Sequence, residues 1–168
     1  MGVGGGMMAK IEFKGIDEYA ERLSILFKDS EKMVRRAVYD GAAIVADEIK
    51  AGLNELPTEP SRMGTAENPL IGVTKRQKAD LIEAFGLAPI KEENGYVQTK
   101  AGVDGYGSVP TESYPKGVPN AMLMRSVESG TSFRKKHPVF RPAVNRARKK
   151  AEEKMQQTIE QQLENMFR

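Results

Sequence analysis

Between Arg134 and Lys150 the chain carries eight lysines and arginines and no aspartate or glutamate. Such a run can neutralise phosphates or dock on an acidic surface. Of 26 basic residues these eight leave 18 elsewhere, against 23 acidic ones, so the whole +3 excess sits in this segment. The residues that could make those contacts are Arg134, Lys135, Lys136, Arg141, Arg148 and Lys149. On a helix Arg141 and Arg148, seven apart, share a face. No aromatic interleaves the cations outside a turn, and no helix-turn-helix, zinc or stacking motif accompanies them. Contact with nucleic acid would therefore be electrostatic and blind to sequence. The competing reading is a solvated helix face.

Catalytic chemistry finds little to stand on. His137 is the only histidine, so neither a two-histidine metal site nor a histidine relay can form. Between Lys136 and Pro138 it reads as a turn residue rather than a general base. The glycines from Gly2 to Gly6 are followed by no Gly-Lys-Ser/Thr and preceded by no strand, which excludes a phosphate loop. Glu92 and Glu93 are adjacent and flank a turn, a solvated tip rather than a paired-carboxylate site. Asp47 and Glu48 read as helix surface, and Met122 and Met124 as fillers of a core or interface gap. No catalytic, cofactor-binding or metal-binding set is identified, and the chain is not expected to be an enzyme.

The elements that carry these residues follow from periodicity. Ala9 to Lys14 alternates apolar and charged residues as a half-buried strand does, and Gly15 ends it. Asp17 caps a first helix with Tyr19, Leu23, Leu26 and Phe27 on one face. A long helix then runs from about Glu31 to Leu56, with Val34, Val38, Gly41, Val45, Ile49 and Leu53 as its buried stripe. Ala79 to Phe85 reads as a short helix or helical turn, stopped by Gly86. Leu87 to Lys91 and Tyr96 to Val103 flank Asn94-Gly95, the strongest short hairpin signal. Ala121 to Ser129 is a short helix or strand. From Pro142 onward a final helix, about 40 Å long at ~1.5 Å per residue, presents Phe140, Val144, Ala147, Ala151, Met155, Ile159, Leu163 and Met166.

The order is segregated α+β: a small antiparallel sheet packed by long N-terminal and C-terminal helices. A length of 168 residues suits one domain. We assign residues 1–8 to a flexible leader and 9–168 to a single domain with extended loops near 57–75 and 104–120. The start lacks the n- and h-regions of a secretion signal. No apolar run approaches a membrane span. The absence of cysteine excludes disulfides and fits a reducing cytoplasm.

One stretch, Glu128 to Val144, reads as a loop feeding a helix. Gly130 allows a tight or left-handed turn, Pro138 extends His137, and Pro142 suits a first helical turn because it needs no amide donor. Glu128, Gly130 and Thr131, a short basic loop, then Pro138, Phe140, Arg141, Pro142 and Ala143 resemble a family hallmark. The family is that of phage tail-component proteins typified by gene product ten of the lambda-like Hong Kong phages; lambda's minor tail protein Z is a more distant relative. "KIEFKGIDEYAERL" is similar to that family's opening strand and helix, and the resemblance spans about Ala9 to Met166. This chain departs from the pattern at Ser129, at Lys135 to His137, at Ala79-Asp80-Leu81, and in its two enlarged loops.

The resemblance implies a structural virion protein of a tailed bacteriophage or prophage, assembled in the host cytoplasm and located in the neck or tail. Such proteins complete the tail or join head to tail as a homo-oligomeric ring around the DNA channel. Head-tail connector, tail-terminator or tail-tube proteins would be neighbours, the lumen DNA a non-specific contact, and no membrane or cofactor is involved. The alternative is a free, sequence-independent nucleic-acid-binding protein using residues 134–150.

Overall fold

Helix-period and strand-period segments fold into an α+β arrangement in which two long helices pack against each other and against a small antiparallel sheet. The computed structural model describes residues 7–11, for which the backbone alone is considered, residues 30–166 and residue 168. In chain order the elements are β1 (Met7–Ile11), α1 (Ser30–Asn54), α2 (Lys75–Ala84), β2 (Phe85–Leu87), β3 (Lys91–Glu93), β4 (Tyr96–Val103), α3 (Asn120–Ser129) and α4 (Phe140–Met166). The opening strand starts at Met7, inside the segment assigned to the leader. Its expected continuation to Lys14 and the helix capped by Asp17 lie outside the described residues.

β4 is the centre of the sheet. β1 pairs with one of its edges, Met7 opposite Val103 and Ile11 opposite Thr99. The other edge is shared by β2, with Phe85 opposite Val103, and β3, with Glu93 opposite Tyr96. Between them three residues, Ala88 to Ile90, face only Thr99 and Lys100, so the register slips by one: a bulge. Pro89, which has no amide to give a ladder, sits in it. Ala88 still donates to the Lys100 carbonyl at 2.7 Å, and Thr99 Oγ1 donates to the Ala88 carbonyl at 2.6 Å. The hairpin turn is Asn94-Gly95, with φ of 55° and 80°, the doubly left-handed turn that matches strand twist.

α1 and α4 run antiparallel. Thr158 Oγ1 donates to Asp40 at 2.8 Å near one end, Arg146 pairs with Glu48 at 3.3 Å near the middle, and Val139 touches Gly52 near the other. Small residues make the seam: Ala37, Ala42, Ala143, Ala147 and Ala151 are all buried. At Gly41 a Cβ would lie 2.6 Å from Met155 Cγ and 3.3 Å from the Ala151 carbonyl, so a larger residue would force the buried Met155 side chain to shift. All six residues of the anticipated α1 stripe are buried.

The α4 stripe needs adjustment. Ala143 and Thr158 join the buried face, Val144 and Leu163 are half-buried, and Met166 is exposed. The main core unites α1, α2, α3, α4 and the sheet, with Phe85 and Phe140 meeting edge to face at 6.0 Å between ring centres. A second cluster, Met33, Val34, Ala37 and Val38 with Met155 and Ile159, fills the far end of the helix pair.

Candidate nucleic-acid and subunit interface

α4 begins at Phe140, two residues before the proline expected to open it, because its cap comes from outside. Glu128, twelve residues back on α3, reaches across the turn. Its Oε2 accepts from the amides of Val139 at 2.7 Å and Phe140 at 3.1 Å, and its Oε1 from Arg141 at 3.1 Å. Pro142 has no amide, and Ala143 donates to the Val139 carbonyl at 3.2 Å. Every donor in the first turn is therefore accounted for. The carboxylate also supplies negative charge at the positive end of a helix whose own first turn has no acidic residue.

The chain can return to this point because Gly130 adopts φ 75°, a left-handed conformation that glycine enters freely. Thr131 closes the next turn: its amide donates to the Arg134 carbonyl at 2.9 Å, and its Oγ1 accepts from Phe133 at 3.1 Å. Pro138 is exposed, while the His137 amide, not its ring, bonds the Val127 carbonyl at 2.6 Å. Glu128, Gly130, Thr131, Pro138, Phe140 and Pro142 thus form one loop-to-helix joint.

Arg134 does not belong to an exposed basic surface. It is only 8 % exposed, and its guanidinium donates to the carbonyl of Gly72. Burial pushes its pKa below the ordinary arginine value, against the opposing charge of Glu59. Glu59 in turn accepts from the amides of Ile71 at 2.9 Å and Gly72 at 2.8 Å. Residue 72 is gripped on both sides, and a Cβ there would run into the Pro57 carbonyl. Leu70 donates to the Phe133 carbonyl and accepts from Lys135, both at 2.8 Å. The first long loop is thereby clasped onto the basic loop.

The second long loop, residues 104–119, is tied differently. Asp80 Oδ2 accepts from the Ser108 amide at 2.9 Å and hydroxyl at 3.0 Å, and Arg76 donates to that hydroxyl at 2.5 Å. Asn120 Nδ2 bonds the Asp104 carbonyl at 2.9 Å. A cavity of about 170 Å³ between the loops and α2 is lined by Arg62, Arg76, Asp80 and Asn120 among others. α2 starts earlier than its apolar pattern, at a capping box in which Thr74 accepts from Gln77 and Gln77 accepts from Thr74. The Thr-x-x-Gln signature was present in the sequence and would have placed this start.

Five of the six candidate cations are exposed: Lys135, Lys136, Arg141, Arg148 and Lys149. Among the described residues none of the five has a carboxylate within ion-pair distance, whereas neighbouring Arg146 is held by Glu48. Arg141, Arg148 and Lys149 project from α4 away from Phe140, Ala143, Ala147 and Ala151. Lys135 and Lys136 sit instead on the clasped loop. The structure thus separates one basic segment into a helix face, a loop group and a buried clasp.

Comparison with protein-family models, with curated proteins and with solved structures yields no match to this chain. Among the described residues no three His, Cys, Asp or Glu side chains are grouped to hold a metal ion. No described helix is long and apolar enough to cross a membrane.

Proposed function

We propose that this chain is a structural subunit of a tailed-phage virion. It would complete the tail or join head to tail as one member of a ring around the DNA channel, with the outer face of α4 turned toward phosphates. The observation that carries the DNA-facing part is the placement of Arg141, Arg148 and Lys149: exposed, unpaired among the described residues, and in the first three turns of a helix. Arg141, in the first turn, opposes the helix dipole, so it costs the fold rather than supports it. A polyanion would compensate that cost. The phage assignment itself comes from the sequence resemblance around Glu128 to Ala143; within that stretch Glu128 caps α4, Gly130 turns the chain back, and Phe140 and Ala143 anchor the helix in the core.

Reversing Arg141, Arg148 and Lys149 to glutamate leaves the buried stripe untouched. Folding should survive, while particles carrying the triple variant should lose tails or fail to deliver DNA. Wild-type infectivity would refute the reading. The isolated subunit should bind duplex DNA in the ~10⁻⁴ to 10⁻⁶ M range of non-specific contacts, because a ring gains its hold by repeating few contacts. Tight binding by the monomer, abolished by the same reversals, would favour the free nucleic-acid-binding protein.

A further inference from the structure

The first long loop and the basic loop present apolar side chains where water should be preferred. Met63 is 84 % exposed, Ile71 61 % and Phe133 56 %. They lie within one residue of a single node. Leu70 donates to the Phe133 carbonyl at 2.8 Å, and Gly64 packs so close to that carbonyl that a Cβ could not fit. This is no slack loop. Glu59 and buried Arg134 hold Gly72 beside it, so the apolar knuckle is presented in a fixed conformation. A rigid exposed apolar group marks a docking surface. Arg62, Lys135 and Lys136, all exposed, flank the three residues in the chain.

The complementary feature is on the same chain. The β3–β4 hairpin ends in Glu92, Glu93 and Tyr96, all exposed, around the Asn94-Gly95 turn. The tip carries two carboxylates and an aromatic ring, with one cation, Lys91, at its base, where the knuckle carries three cations and one carboxylate, Glu67, around its apolar groups. The two lie at opposite ends of α1: Arg35 in the second turn donates to the Ile90 carbonyl beside the hairpin, and Pro57 just past the last turn pairs with Val73 beside the knuckle. At ~1.5 Å per residue the helical span from Arg35 to Asn54 alone is about 29 Å. Complementary patches this far apart cannot meet within one molecule. Between copies they make a head-to-tail contact, which closes into a ring when the rotation allows.

We propose that the Met63–Ile71–Phe133 knuckle receives the β3–β4 hairpin tip of a second copy of this chain. The proposal rests on the ring reading and names its subunit contact. It separates the loop cations, which serve assembly, from the α4 cations, which face phosphate.

Sedimentation velocity of the full chain tests it, using a knuckle variant, Phe133→Glu/Lys135→Glu, and a hairpin variant, Glu92→Thr/Tyr96→Thr. All four positions are exposed, so both variants should melt as the wild type does. Wild-type protein should associate with rising concentration, and less so at high salt. Each variant alone should associate at least about 30-fold more weakly, the loss typical of a hot-spot residue. An equimolar mixture should form dimers and nothing larger, since it contains one intact knuckle and one intact hairpin per pair. Variants that associate like wild type would overturn this interface while leaving a ring built through another surface. A wild type that stays monomeric, or that gains mass only with added DNA, would also overturn it. The infectivity of the α4 variant would then decide the ring reading separately.

Discussion

Glu128 Oε2 lies 2.7 Å from the amide nitrogen of Val139, and this bond starts the longest helix among the described residues. The same carboxylate holds the next two amides, so one side chain serves as a remote cap for the whole first turn. Replacing Glu128 with alanine should cost about 1.5–3 kcal/mol, the range for hydrogen bonds to a charged group. At about 2–4 °C per kcal/mol for a chain of this size, the melting temperature should fall by roughly 3–12 °C. Glu128→Gln keeps one carbonyl acceptor and should fall between the two. An unchanged melting temperature in Glu128→Ala would show that the joint is dispensable.

Phe140 is the first core residue of α4, 4 % exposed and edge-on to Phe85. Phe140→Ala should lose about 3–5 kcal/mol and give partly insoluble protein. Phe140→Leu should lose less. Urea unfolding of the soluble fraction measures both, and a midpoint equal to wild type for Phe140→Ala would remove Phe140 from the core.

Gly41 should resist enlargement. Gly41→Ala places a methyl against buried Met155, and overpacking of this kind costs about 1–3 kcal/mol, offset by about 0.5–1 kcal/mol of helix propensity, so a net loss of up to about 2 kcal/mol is expected. Ala43→Ser, at a half-buried position two residues away, should change stability by less than about 0.5 kcal/mol. Equal melting temperatures for the two variants would mean that the α1–α4 seam has room to spare.

Arg134→Ala should act locally before it acts globally. It strips the Gly72 carbonyl of its donor and Glu59 of its neighbouring positive charge, at a cost of about 1–3 kcal/mol for the group left unsatisfied. Limited proteolysis should then cut first within residues 59–73. Cleavage elsewhere at the wild-type rate, with that loop still protected, would contradict the clasp.

Periodicity made the helices and the hairpin legible in advance. Val34 through Leu53 repeat at helical spacing, and Asn94-Gly95 specifies its turn locally. What stayed hidden depends on partners distant in the chain. Nothing near Val139 announces that Glu128 will cap it, so the local pattern starts the helix only at Pro142. Nor does composition distinguish Arg134 from Lys135. The first turns inward because Gly72 and Glu59 await it across 62 and 75 residues of sequence, and no local pattern encodes that. The bulge at Pro89 escaped for a related reason: it is a property of two strands in register, not of either alone.

The virion assignment is tested most directly by asking where the protein resides. Tailed particles released by the strain that encodes it can be purified by density gradient after nuclease treatment, digested for quantitative mass spectrometry, and labelled with antibody for electron microscopy. The account predicts that the chain is present in several copies per particle, with label confined to the neck or tail. Particles that are tailed and infectious yet lack the chain, with all of it left soluble in the lysate, would contradict the account.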